Sequence, residues 1–154
     1  MNQPKSPRRR LPLAGVLALA LLAGCTVLKP DPDAHLATFT TRLAGSNEVP
    51  PTASMGTGTV DAVLDRNTLL LRWKMSFTNL SGPATLAHFH GPAAIGANAA
   101  PAVTMPPPVT EAYEGRATLT AAQAADLLAG RWYANVHTAR YPAGELRGQM
   151  IERR

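Results

Sequence analysis

The sequence predicts an all-β domain, an antiparallel sandwich or barrel carrying one short helix. Three observations carry that expectation. Leu69, Leu71, Trp73, Met75 and Phe77 alternate with Leu70, Arg72, Lys74 and Ser76, which is the period of a half-buried strand. Short runs of the same character recur along the chain, separated by Gly, Pro, Asn and Asp. One stretch stands out as helical: Thr120-Ala121-Ala122-Gln123 reads as a capping box, residues 124–129 are strong helix formers, and Gly130 follows as the terminator.

Taken in order, the chain opens with Lys5, Arg8, Arg9 and Arg10, then an apolar stretch over residues 11–24. That run is too short for a bilayer span, which needs about 20 residues, and residues 1–24 are expected to be an export signal. Leu22-Ala23-Gly24-Cys25 resembles the bacterial lipobox, which implies that Cys25 carries the lipid and becomes the new N-terminus. Thr26 rather than Asp after the cysteine favours the outer membrane, with the domain facing the periplasm or the exterior. Arg8-Arg9-Arg10 also suggests twin-arginine export, but the flanking residues suit a general secretory signal better.

Without the leader, eleven Lys and Arg face ten acidic residues, a net charge of about +1 against +5 for the whole chain. No basic footprint for nucleic acid remains. Residues 25–35, with Lys29-Pro30-Asp31-Pro32-Asp33, read as a tether in which His35 is solvated, and residues 36–154 as one domain. With Cys25 the sole cysteine, that domain has no disulfide.

Within it, strands are expected over residues 37–43, 56–64, 67–79, 84–90, 116–119, 131–137 and 145–151, with a short edge strand over 101–105. Val60, Ala62 and Leu64 should share one face, and Asp65-Arg66-Asn67 should turn the chain into the next strand as a hairpin. Pro106-Pro107-Pro108 cannot sit in a central strand, since none of the three donates a backbone hydrogen bond. Trp73 and Trp132 read as core anchors.

Four segments look written for more than packing: Leu43-Ala44-Gly45-Ser46-Asn47-Glu48-Val49-Pro50-Pro51, His88-Phe89-His90-Gly91-Pro92, Trp132-Tyr133-Ala134-Asn135-Val136-His137-Thr138 and Tyr141-Pro142-Ala143-Gly144-Glu145-Leu146-Arg147-Gly148-Gln149. In this order they resemble the CHRD domain, a family named after the repeats of the animal protein chordin. Asn47 stands where the family often has Gln, and Ala143 where it often has Gly. The resemblance implies a Greek-key-like β-sandwich and no defined activity.

On their own chemistry, His88 and His90 lie two apart on a strand and project together, opposite Phe89. His137 ends another strand and completes a set of three imidazoles if the two strands pair. Such a set without thiolate points to copper or zinc. Glu48, Tyr141 or Glu145 could add a ligand or an acceptor behind an imidazole, with Asn135 and Arg147 as further supports. The same histidines, with Asn135, could instead satisfy buried backbone groups near Gly91-Pro92, and Glu145 and Arg147 could form a structural network. Met55 and Met105 could bind copper(I) but suit loop and core filling.

His88-Phe89-His90-Gly91 is also similar to the copper-binding strand of the copper–zinc superoxide dismutases, whose bridging His, zinc-binding Asp and disulfide have no clear counterpart here. No phosphate loop or nucleophile elbow is present in the sequence. Two readings stand. One is a lipid-anchored, non-enzymatic binding or structural module with a protein or envelope-polymer partner. The other is a copper or zinc protein, in metal handling or dismutase-like redox defence.

Overall fold

The computed structural model describes Lys29 and residues 31–153, so the expected leader and Cys25 lie outside the described residues. The compact unit runs Asp31–Arg154. Among the described residues no helix is long and apolar enough to cross a membrane.

Among the described residues, nine strands form one antiparallel sheet: β1 (Leu36–Ala44), β2 (Thr57–Asp65), β3 (Leu70–Thr78), β4 (Ala84–His90), β5 (Pro101–Thr104), β6 (Ala112–Thr118), β7 (Trp132–Thr138), β8 (Leu146–Met150) and β9 (Glu152–Arg153), with helix α1 (Ala121–Leu128) between β6 and β7. The spatial order is β5-β4-β7-β8-β1-β2-β3-β6, with β9 added beside β1. The sheet curls into a nearly closed barrel whose edges are β5 and β6. β3 does not pair with β4. It pairs with β6, so the chain crosses between the two ends of the sheet in a Greek-key manner.

Alternation builds the core. In β3, Leu71, Trp73, Met75 and Phe77 are buried while Arg72, Lys74 and Ser76 are exposed, and Val60, Ala62 and Leu64 of β2 meet them from the next strand. Phe89, Met105, Trp132, Leu146 and Met150 complete the filling, and Trp73 meets Phe89 edge-on at 5.2 Å. Met105 is thus a core residue, whereas Met55 is 86 % exposed on its loop. The helix starts with the expected capping box, since Thr120 Oγ1 accepts from Gln123 N–H and Gln123 Oε1 accepts from Thr120 N–H. It ends in a Schellman motif, with Gly130 N–H donating to Leu127 O and Arg131 N–H to Asp126 O, and Gly130 at φ 70°.

Two details depart from the alternation. Leu69 does not open β3. It has φ 57° and closes the turn, in which Asp65 Oδ1 accepts from Asn67 N–H and Thr68 N–H. β6 begins at Ala112, four residues before the strand expected at 116, because Ala112, Tyr113, Glu114 and Gly115 pair with Ser76, Met75, Lys74 and Trp73. Gly115 hides that strand from propensity, yet glycine is required there, since a Cβ would collide with the Trp73 ring. His35, read as solvated, is half-buried and its carbonyl accepts from Arg66 N–H.

Candidate metal centre

β4 and β7 each present one apolar and one polar face. Ala87 and Phe89 of β4, and Trp132, Ala134 and Val136 of β7, fill the barrel. His88 and His90, and Tyr133, Asn135 and His137, therefore stand on the opposite face. Register pairs His88 with Asn135, His90 with Tyr133, and Asn135 with Arg147 of β8. A barrel's outer face is ordinarily wet, but this one is not: the three histidines are 6–8 % exposed, and Asn135 and Arg147 2 % each. Contacts from the loops at Glu48, at Ala97 to Ala99 and at Pro142 to Gly144 close over it. The fold thus has an apolar core inside the barrel and a polar one outside it.

The imidazoles converge as the sequence predicts. His88 Nδ1 is 3.0 Å from His137 Nε2, and one ligand atom from each of His88, His90 and His137 lies within 4.8 Å of the others. The protons can be assigned from the partners. His90 Nδ1 faces Ala99 O at 2.9 Å and His137 Nδ1 faces Pro142 O at 3.0 Å. A carbonyl only accepts, so both Nδ1 atoms carry the proton and both Nε2 atoms keep a lone pair. Those two Nε2 atoms each lie 3.0 Å from Asn135 Oδ1, another acceptor. His88 Nδ1, 3.0 Å from His137 Nε2, can donate its proton there, so the acceptor–acceptor contacts are those of the two Nε2 atoms with Asn135 Oδ1, and these are relieved either by a cation or by rotation of the Asn135 amide to offer its NH2.

Electrostatics keeps the rings neutral. Burial lowers the His88 pKa to about 4, assisted by His137 and His90 beside it. Burial also lowers His90 and His137, against the hydrogen bonds to Ala99 and Asn135 for the first and to Pro142 for the second. Neutral imidazoles with Nδ1–H anchored on carbonyls are the form that binds a metal. Metal–nitrogen bonds of 2.0–2.1 Å in a tetrahedral site place nitrogens about 3.3 Å apart; His88 and His137 nitrogens stand 3.0 Å apart, at hydrogen-bond distance, and the full set of three lies within 4.8 Å, so the rings would adjust their spacing around an ion.

The other expected residues divide. Asn135 lies against two of the imidazoles. Arg147 anchors the 91–100 loop, donating to Asn98 Oδ1 at 2.9 Å and Ala97 O at 2.7 Å. Glu48 is buried, and its Oε1 has no hydrogen-bond partner. Burial raises its pKa to about 7, against the pull of Arg147 and of Val49 N–H. A Cβ on Gly144 would collide with Glu48 Oε1 and lie 2.9 Å from Asn135 Nδ2, so the carboxyl stands across Asn135 from the imidazoles.

Of the two roles open to Glu145 in the sequence, its bonds support the structural network. Its carboxylate accepts from Ser54 Oγ at 2.6 Å, Ser81 N–H at 2.8 Å, Ser81 Oγ at 2.6 Å and Thr138 Oγ1 at 2.6 Å, none of them an imidazole. Burial pushes its pKa up, but these bonds prevail and hold it below the usual carboxylate value. Tyr141 acts through its backbone, closing the turn with Thr138 and Gly144, while Arg140 lies over its ring.

Sequence reasoning missed Tyr133. Its ring lies parallel to His90, its hydroxyl accepts from Ala99 N–H at 3.3 Å, and Arg147 lies 3.5 Å from its centroid. The available signal was parity, since Tyr133 shares the face of Asn135 and His137. Nothing in the sequence marks Ala99 and Pro142 as the carbonyls that fix the histidine tautomers.

The four conspicuous segments all reach this cluster, supplying Glu48, His88 and His90, Asn135 and His137, and Arg147. The family profile of the CHRD domain matches residues 39–150. No curated protein and no solved structure matches the chain.

Proposed function

Since the chain belongs to the CHRD domain family over a span that contains the whole cluster, we propose that it is a non-enzymatic module binding one copper or zinc ion through His88, His90 and His137, held at the cell envelope by a lipid on Cys25. One observation carries the metal reading: two histidines have Nδ1–H anchored on Ala99 O and Pro142 O, which leaves their Nε2 atoms as lone-pair donors, and one ligand atom from each of the three imidazoles lies within 4.8 Å of the others. Borderline imidazole donors without thiolate suit copper(II) and zinc. The lipobox-like segment before Cys25 and the nearly neutral remainder of the chain support a membrane-tethered role without nucleic acid.

Metal analysis of the full chain, purified without a histidine tag, tests this. About one equivalent of copper or zinc, with nitrogen hyperfine structure in the copper(II) electron paramagnetic resonance spectrum and loss of the ion in His88→Ala, is the expected result. No uptake, and no thermal stabilisation by either ion, overturns it. The histidines would then serve packing alone, and a protein or envelope polymer would be the partner to seek. Labelling with a radioactive fatty acid, lost in Cys25→Ser, tests the anchor.

A further inference from the structure

Among the described residues, three buried side-chain atoms lack a hydrogen-bond partner: the indole nitrogens of Trp73 and Trp132, and Glu48 Oε1. The indoles lie within the apolar core. Glu48 is an acid, 6 % exposed, beside the polar cluster. Buried carboxyl groups ordinarily have partners, and an orphan needs a physical account.

The charges around the cluster supply one. His90 and His137 donate Nδ1–H to carbonyls, and the Arg147 guanidinium lies 3.5 Å from the Tyr133 ring centroid, so no negative charge stands among the imidazoles themselves. A divalent ion would add two further positive charges to a water-poor site. Glu145 already holds four hydrogen bonds away from the imidazoles. Glu48 has no such engagement at Oε1, and stands one side chain away, across Asn135. Gly144 keeps its place clear, since any Cβ there would displace the carboxyl.

We infer that Glu48 is the charge-compensating acid of this cluster and makes it selective for a divalent ion over copper(I). The inference rests on the metal reading above. Three neutral imidazoles accommodate either charge state of copper; a buried carboxylate adds stabilisation that grows with the charge of the ion. Glu48 is a positioning and charge-balancing residue in this account, one side chain removed from the ion.

The test compares the full-length chain with Glu48→Gln and Glu48→Asp, by competition titration with zinc(II), copper(II) and copper(I). Glu48→Gln should weaken both divalent ions about tenfold or more and change copper(I) by less than about threefold. A tenfold selective loss raises the copper(II)/copper(I) potential by about 59 mV. Glu48→Asp, which keeps the charge, should restore part of the difference. Equal weakening for both copper states, or no change in any, overturns the role of Glu48 while leaving the metal site standing. No metal uptake by the unaltered chain removes both proposals together. Thermal unfolding without metal identifies any variant that fails to fold, and Glu48→Asp then carries the comparison.

Discussion

The ring of Tyr133 lies parallel to that of His90, centroids 4.7 Å apart and planes within 1°. Arg147 lies against the same tyrosine, 3.5 Å from its centroid. Adjacent strands β4, β7 and β8 therefore align an imidazole, a phenol and a guanidinium in one layer outside the barrel. Tyr133→Ala should cost about 3–5 kcal/mol, the range for removing a buried aromatic ring. Tyr133→Phe retains the ring and loses the hydroxyl contacts with Ala99, costing about 1 kcal/mol. Urea unfolding of the two variants separates stacking from hydrogen bonding, and a larger effect for Phe than for Ala would contradict the stack.

Stability should fall in mild acid. The three imidazoles have folded pKa values below their ordinary value of 6.5, His88 at about 4. Their stabilisation is complete above 6.5 and is lost as pH falls toward the folded values, because the unfolded chain then binds protons that the folded one refuses. Glu48 acts in the opposite sense: raised to about 7, it contributes most below 4.5 and loses that contribution as pH rises through 7. Denaturation curves between pH 7 and pH 4 should show the midpoint dropping, and the drop should be smaller in His88→Gln. An unchanged slope in that variant would show that His88 is not a buried neutral base.

Glu145 should matter for folding and not for metal. Glu145→Ala removes the acceptor for Ser54, Ser81 and Thr138 at once. Breaking a buried hydrogen-bonded network of this kind costs about 3–5 kcal/mol. Metal affinity of the folded variant should stay within about twofold, since the loss of an acceptor behind a ligand would cost 10–100-fold. Calorimetry for stability and competition titration for affinity check the two halves separately.

Gly115→Ala should destabilise by about 1–3 kcal/mol through overpacking, because its Cβ would meet the Trp73 indole. The equivalent change at Gly82, where nothing lies within 4 Å, should stay within about 0.5 kcal/mol. Thermal melts of the pair would show equal shifts if the Trp73 contact were unimportant.

Much of this molecule was legible where local periodicity and tertiary demand agree. β3 alternates because one of its faces fills the barrel, and β4 places two histidines on the other face because Phe89 must point inward. The capping box of α1 is local chemistry and reads directly. What could not be read depends on residues distant in sequence. β6 is masked by Gly115, whose need arises from Trp73 across the sheet. The choice between a sandwich and one nearly closed sheet depends on β1 lying between β8 and β2, a pairing set by topology. The sequence leaves Glu145 open between an acceptor behind an imidazole and a structural network, and the choice rests on Ser54 and Ser81, far from it along the chain, together with Thr138. Backbone carbonyls carry no sequence identity, so the tautomers of His90 and His137 were invisible until the loops were in place.

The polar cluster gathers parts of the chain that are far apart along it: His88 and His137 are separated by 49 residues, and the contact from Asn47 to Arg147 spans 100. An ion shared by His88 and His137 would therefore act as a reversible cross-link, restricting the unfolded chain as a disulfide does, by about 4 kcal/mol for a loop of this size. The sole cysteine, at position 25, lies outside the described fold, so the domain has no covalent staple of its own. Its resistance to unfolding would then follow the supply of metal around it, and a chelator would do to this domain what a reductant does to a secreted one.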